Sequence, residues 1–530
     1  MSPASSAVAR RTLRDTRVRD GAFAAFFALQ ALIQPLGFRH SFPTLADRVA
    51  FARSFGDNAA VRLFYGSPHE LLTAGGYTAW RVGGFLAILA GAWGALAAVR
   101  ALRAEEDSGR IELALAGIVD RRGAFTAALA AVAAGVALLW AALAIGLVAG
   151  GLPLDGSLYL ALATMTPALV FAGVGALASQ LAGSRRVASE LAIGALAAGL
   201  LLRVVADTSA GLSWLRWTTP LGWAEELRPF ADTRPLVLLL PLAATTLLLS
   251  AAAALAVRRD VGRGVLEPRD RRRPRLALLR SPTALALREE RAGALAWLGG
   301  VALFAVVVGI LSDSFRPDTI GPDLQRQLSQ VGGASLVTPG GALSFYFLFF
   351  AVAFALYACA QIAAARREEA EQRLETLLAA PVARRRWLGG RLLLAAGGLV
   401  ALALTSALAS WAGAASQDAG VPLTDLLAGA ANTLPLALLF LALGALAFAV
   451  MPRAASGAAY GLVAVAFVWE LFGSLLGAPA WLLGLSPFHQ LALVPAQPFK
   501  ATAAVIMLAL AASAAGLALV AFDRRDLASF

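Results

Sequence analysis

The chain has 530 residues, 59% hydrophobic and only 15% charged, with a mean hydropathy of +0.71. Soluble domains carry about 25% charged residues, so this composition excludes a soluble enzyme or binding module. The net charge of +12 gathers as arginine clusters beside long apolar blocks, which fits membrane topology signals and argues against nucleic acid as a partner.

Each apolar block runs for about twenty residues, the length that crosses a hydrocarbon layer of about 30 Å. The alternating pattern of a β-barrel is absent, so the fold class is an all-α polytopic membrane protein. The first block follows Arg10, Arg11, Arg14, Arg17 and Arg19. No small-residue cleavage motif closes it, and it reads as an uncleaved first helix. Spans are predicted near 20–36, 77–101, 123–150, 157–182, 188–206 and 235–257. Six more fall near 292–311, 343–365, 387–414, 424–451, 455–477 and 502–522, about twelve in all. Most arginines then lie on one side, which puts both termini in the cytoplasm of a multi-pass plasma-membrane protein.

The chain divides on this reading into a first half, 1–257, a basic linker, 258–290, and a second half, 291–530. Arg10–Asp20 and Leu276–Arg291 precede the first span of each half. They read either as interfacial helices on the inner leaflet or as ordinary basic flanks. The halves repeat. Glu105, Glu106, Arg110 and Glu112 recur as Glu368, Glu369, Arg373 and Glu375 at a shift of 263 residues. Thr73-Ala-Gly-Gly76 returns as Thr338-Pro-Gly-Gly341, and Trp214-Leu215 and Thr219-Pro220 return as Trp481-Leu482 and Ser486-Pro487. Two parallel six-helix repeats follow, related by a pseudo-two-fold axis along the membrane normal, because six crossings restore the starting orientation.

Chemistry-bearing clusters are few. His40, His69 and His489 are scattered without metal-ligand spacing, and the single cysteine, Cys359, lies inside a span, so neither a metal site nor an intramolecular disulfide is expected. A phosphate-binding loop needs Gly-x-x-x-x-Gly-Lys-Ser/Thr, yet the only lysine, Lys500, has no glycine before it in Gln497-Pro-Phe-Lys500-Ala-Thr502. The chain is therefore not an enzyme by itself and binds no cofactor of its own. The repeated acidic segment sits between the second and third spans of each half. It reads as a short amphipathic helix that presents carboxylates to a cytosolic partner. Span termination alone would call for arginines, not glutamates held in register.

The phrase Arg103-Ala-Glu-Glu-Asp-Ser-Gly-Arg-Ile-Glu-Leu-Ala-Leu-Ala-Gly117 resembles permease subunits of ABC-type exporters. Within them it is similar to the actinobacterial exporters of polyketide antibiotics, with tetronasin-type transporters as relatives. The resemblance covers essentially the whole chain. It implies that Glu105, Glu106, Arg110, Glu112, Glu368, Glu369, Arg373 and Glu375 belong to ATPase-coupling helices. It also implies a separate ABC ATPase homodimer as partner, with ATP and Mg held on that ATPase, and hydrophobic or amphiphilic drugs as cargo. The second copy departs at Glu371-Gln372, where the first has Ser108-Gly109. By analogy with the family, the second and fifth spans of each half line a cargo cavity. They offer Trp80, Phe85, Trp93, Phe345, Tyr346, Phe349, Phe467 and Trp469, which suit lipid contact and helix packing equally well.

The internal alignment sets Arg203 opposite Glu470 in the two fifth spans. A charge at membrane depth needs a partner or water, and these two are expected either to pair as an outer gate or to find local partners. A proton-coupled secondary multidrug transporter, with Arg203, Glu470 or Glu190 as its switch, is the alternative function. A lipid-modifying enzyme ranks last, for want of a catalytic constellation.

Overall fold

A computed structural model describes residues 3–55, 62, 65–107, 109, 120–208, 210–260, 264–266, 281–312, 338–472 and 479–526. Among them every regular element is helical. The chain forms two compact units, Met1–Arg271 and Arg272–Phe530.

The first unit contains α1 (Pro3–Ser41), α2 (Leu45–Phe55), α3 (Ala74–Val99), α4 (Arg121–Ala149), α5 (Leu154–Leu181), α6 (Arg185–Thr208), α7 (Pro220–Glu226) and α8 (Leu239–Arg258). The second contains α9 (Pro282–Leu311), α10 (Pro339–Ala370), α11 (Arg373–Leu378), α12 (Arg384–Ala415), α13 (Leu423–Val450), α14 (Ala455–Phe472) and α15 (Ala501–Arg524). Among the described residues, eleven helices are long and apolar enough to cross a membrane. The twelfth expected span, 455–477, is the exception. Its helix, α14, covers Ala455–Phe472, a rise of about 27 Å at about 1.5 Å per residue, and 473–478 lie outside the described residues.

Helix starts follow capping chemistry. Thr73 and Thr338 hold extended backbone, and their hydroxyls accept from Gly76 N and Gly341 N at 3.0 Å. Each satisfies an amide that the first turn leaves without a partner. Inside α5, Pro167 removes the amide that would meet the carbonyl of Ala163. The Thr166 hydroxyl donates to that carbonyl instead, at 2.8 Å, so the proline is tolerated in a helix buried on most sides.

Packing follows the same plan in both units. In the first, α1 lies against α4, α3 against α5, and α5 against α8; in the second, α9 lies against α12, α10 against α13, and α13 against α15. The most enclosed spans are α5 and α13. Phe27, Leu86, Leu139 and Leu143 centre the first core, and Leu436, Phe440 and Phe488 the second. The Thr219 hydroxyl donates to Gly199 O at 3.0 Å, and the Ser486 hydroxyl to Ala466 O at 3.1 Å, the same bond 267 residues on.

Arg10–Asp20 is no separate interfacial helix, because α1 runs through it without a break. Residues 282–291 likewise form the first turns of α9, and 276–280 lie outside the described residues. Arg10–Asp20 and residues 282–291 are thus flanks of their spans.

Candidate functional site

Two charged regions stand out, one where the acidic repeat meets the spans and one at the opposite end of the first unit.

At the first repeat, α3 passes through a π-helical turn, Arg100–Ala104, into the turn Glu105–Asp107. Arg103 is fully buried and pairs with Glu106 at 2.8 Å and Asp107 at 3.2 Å, while donating to Gly183 O at 2.7 Å. Glu106 also receives Arg259 from beyond α8, and Arg259 Nε donates to Gln180 Oε1 at 2.7 Å. Arg110 and Glu112 lie outside the described residues.

The second repeat is described throughout. The chain leaves α10, turns at Gln372 (φ 59°) and forms α11. Leu374 is buried, Leu377 and Leu378 are half-buried, and Arg373, Glu375 and Thr376 are exposed. Glu368 and Glu369 are buried. Glu368 is held by Arg391, which also meets Glu290 from α9. Glu369 pairs with Arg525 at 2.6 Å, and the Arg525 guanidinium lies 5.0 Å from the ring centroids of Phe448 and Phe522.

Glu106, Glu368 and Glu369 were expected to face a partner, and here they turn inward. A buried carboxylate needs a cation, and an arginine just past the last helix of each unit supplies one to the equivalent residues Glu106 and Glu369. These three fasten the element to its own unit. Glu375, with Arg373 beside it, is the described part of the repeat that faces outward. Arg373 meets Glu371 at 2.7 Å and Glu289 at 3.5 Å on the surface.

At the other end of the first unit, Arg203 is 1% exposed. It pairs with Asp207 at 3.2 Å, one turn along α6, and with Glu225 of α7 at 2.7 Å. Arg216 meets Asp207 at 2.6 Å and donates to Ser67 Oγ at 2.8 Å. Glu226 pairs with Arg234 at 2.9 Å and Arg228 at 3.3 Å. Gly66 (φ +80°) and Gly84 border the Arg203–Glu225 pair, and a Cβ on either would collide with it or press on it. Glu470 instead stands 3.4 Å from His489 in the second unit. Arg203 and Glu470, which had two outcomes open to them, each find partners within their own unit. Asp207 at the i+4 position was the readable signal for this; Glu225 and Arg216 come from outside the helix. Glu190 is exposed and held by Arg186 at 2.8 Å.

Burial pushes the Glu225 carboxyl up to about 8, against the opposing pull of Arg203. Burial also lowers the nearby His69, helped by Arg228. A protonated-carboxyl infrared band, absent in Glu225→Gln, should therefore fade with a midpoint near 8. Loss of that band by pH 5 would contradict the burial argument. The stability sign follows. A folded value above the ordinary 4.5 gives a contribution present at low pH and lost as pH rises through about 8.

The residues named for a cargo cavity have diverse settings. Trp80 is buried, donates to Gly66 O at 3.0 Å and packs with Phe51, Tyr65 and Tyr77. Trp93 and Tyr346 are buried, whereas Phe85 and Phe345 face outward from their units. Phe349 lines an apolar cavity of about 390 Å³ with Trp297, Phe304 and Phe350. Phe467 packs on Phe488 at 5.5 Å, and Trp469 donates to Leu482 O at 3.2 Å. Among the described residues no group of three or more metal-ligating side chains occurs.

Apolar spans, buried charge clamps at their ends and a short exposed helix between two of them define a multi-pass helical membrane protein. A family model described as "Multidrug efflux system permease Rv1217c, C-terminal domain" matches residues 50–258 and 279–523. The multidrug efflux system permease protein Rv1217c of Mycobacterium tuberculosis (strain ATCC 25618 / H37Rv) is 32% identical over 492 residues, which is 92% of this chain and 88% of that protein. The chain belongs to this family of multidrug efflux system permeases.

Proposed function

We propose that the chain is the membrane-spanning subunit of an ATP-driven ABC exporter that moves hydrophobic or amphiphilic drugs out of the cell. A separate ATPase, a homodimer, binds ATP and Mg and docks beneath the two acidic repeats. The chain then consists of two six-span repeats in the plasma membrane with both termini cytoplasmic. The matched helix pairings, the Thr73/Thr338 caps and the Glu106–Arg259 and Glu369–Arg525 pairs support that duplication. Glu112 occupies in the first repeat the position that Glu375 holds in the second.

The observation that carries the proposal is α11. A six-residue helix keeps Leu374 inside and Glu375 outside, and its root is fixed by the buried Glu368 and Glu369. Such a rigid, charged knob can transmit a push to α10 and α12. Glu375→Arg should weaken the complex with the ATPase about ten- to a hundredfold, the value of a lost charge-assisted bond. Insertion should be unaffected, since the change adds positive charge on the inner side. Unchanged association, measured by co-purification and titration, would make Glu375 a solvated loop charge.

One observation favours a second reading, a proton-coupled secondary transporter. Glu225 is a buried acid, pushed up to about 8, in contact with Arg203, and a proton-driven cycle would use such a group. In that case Glu225→Gln should abolish transport driven by a proton gradient.

A further inference from the structure

Asp20 lies on α1 where that helix meets α3 and α4, and it is 5% exposed. Its Oδ1 accepts from Arg19 Nε at 2.9 Å, Arg19 Nη2 at 2.7 Å and Trp93 Nε1 at 3.2 Å. Its Oδ2 accepts no hydrogen bond among the described residues and lies near Gly135 of α4, where a Cβ would stand 3.8 Å from it. Asp20 and Trp93 line a cavity of about 150 Å³ with the apolar Ala97 and Val132, and its polar lining adds Thr12, Asp15, Thr16, Arg19 and Arg100. Gly135 makes the room, since any side chain there would strike the Trp93 ring.

Oδ2 stays accessible from the cavity, so water serves it until a stronger donor enters. The group that satisfies it must bring a hydrogen, and a protonated amine brings a charge as well. Arg19 is committed to Oδ1, so Oδ2 is the acceptor that the acid offers to the cavity. The indole beside it favours a cation over an anion. The second unit differs at the corresponding place. There Tyr357 occupies the space left by Gly398 as Trp93 does that left by Gly135, but the acid acting on Tyr357, Glu290, is held by Arg391.

We propose that this cavity binds the amine of a cationic amphiphile, with the ammonium at Asp20 Oδ2 and the apolar body along Trp93 and Val132. That the ligand is cargo rests on the export function proposed above; the binding itself does not. A volume of about 150 Å³ holds an ammonium and a short methylene chain, not a whole drug, so the site anchors one end of the molecule.

The test uses the full chain in lipid nanodiscs, titrated with dansylcadaverine, with empty discs subtracted. Wild type should bind saturably. Asp20→Asn should bind about ten- to a hundredfold more weakly, the loss expected for one charge-assisted bond. Thr16→Leu, which narrows the cavity without touching the acid, should also weaken binding and guards against misfolding of the first variant. N-acetyl-dansylcadaverine, which keeps a donor but no charge, should not distinguish wild type from Asp20→Asn. Equal affinity in wild type and both variants, or acetylated probe bound as tightly as the amine, overturns the proposal. Asp20-dependent binding without ATP-driven extrusion would remove the export function and leave the site standing.

Discussion

Replacing Arg203 by methionine should destabilise the first half by about 3–5 kcal/mol, the usual result of deleting one partner of a buried ion pair. The pairs with Asp207 and Glu225 lie at 3.2 and 2.7 Å, and Arg203 and Asp207 side chains are each 1% exposed. Methionine fills much of the volume but leaves the Asp207 carboxylate, 1% exposed, with Arg216 as its remaining cation and the protonated Glu225 beside it. A second change, Asp207→Asn, should recover part of the loss, because it removes the stranded charge. Glu470→Gln should leave the first half untouched, since Glu470 meets His489. Thermal unfolding of the four proteins in one detergent checks this. An Arg203→Met protein as stable as wild type would show the cluster to be hydrated and energetically idle.

A second large effect is expected at Arg525. Its removal in Arg525→Leu leaves Glu369, whose side chain is 1% exposed, as an uncompensated buried charge, again worth about 3–5 kcal/mol. Because Glu369 roots α11, the loss should appear as failed stimulation of ATP hydrolysis by cargo as well as lower stability. The double variant Glu369→Leu/Arg525→Leu should regain much of the stability, since replacing a whole buried pair by apolar groups is often neutral. If the single and double variants behave alike, the pair does not anchor the element.

The membrane character was legible because twenty-residue apolar blocks admit few other folds. Helix ends were less so. Nothing in the composition of Arg10–Asp20 separates an interfacial helix from the first turns of α1. The acidic repeats were visible as repeats, but their facing was not. Whether Glu369 looks out or in depends on Arg525, 156 residues away, and spacing along the chain cannot reveal that. Arg203 had two readings. Long-range internal alignment brought Glu470 forward, while Asp207, one helical turn away, already offered the nearer charge. Asp20 escaped notice as one more charge in a basic flank, and only its burial against Trp93 sets it apart.

The central claim is that ATP on a separate subunit drives this chain to export amphiphiles. Proteoliposomes holding the chain and its ATPase, loaded with a fluorescent hydrophobic drug, test it most directly. Transport that requires ATP and Mg and survives an uncoupler is the expected result. Transport by the chain alone, driven by an imposed proton gradient and lost in Glu225→Gln, would contradict it.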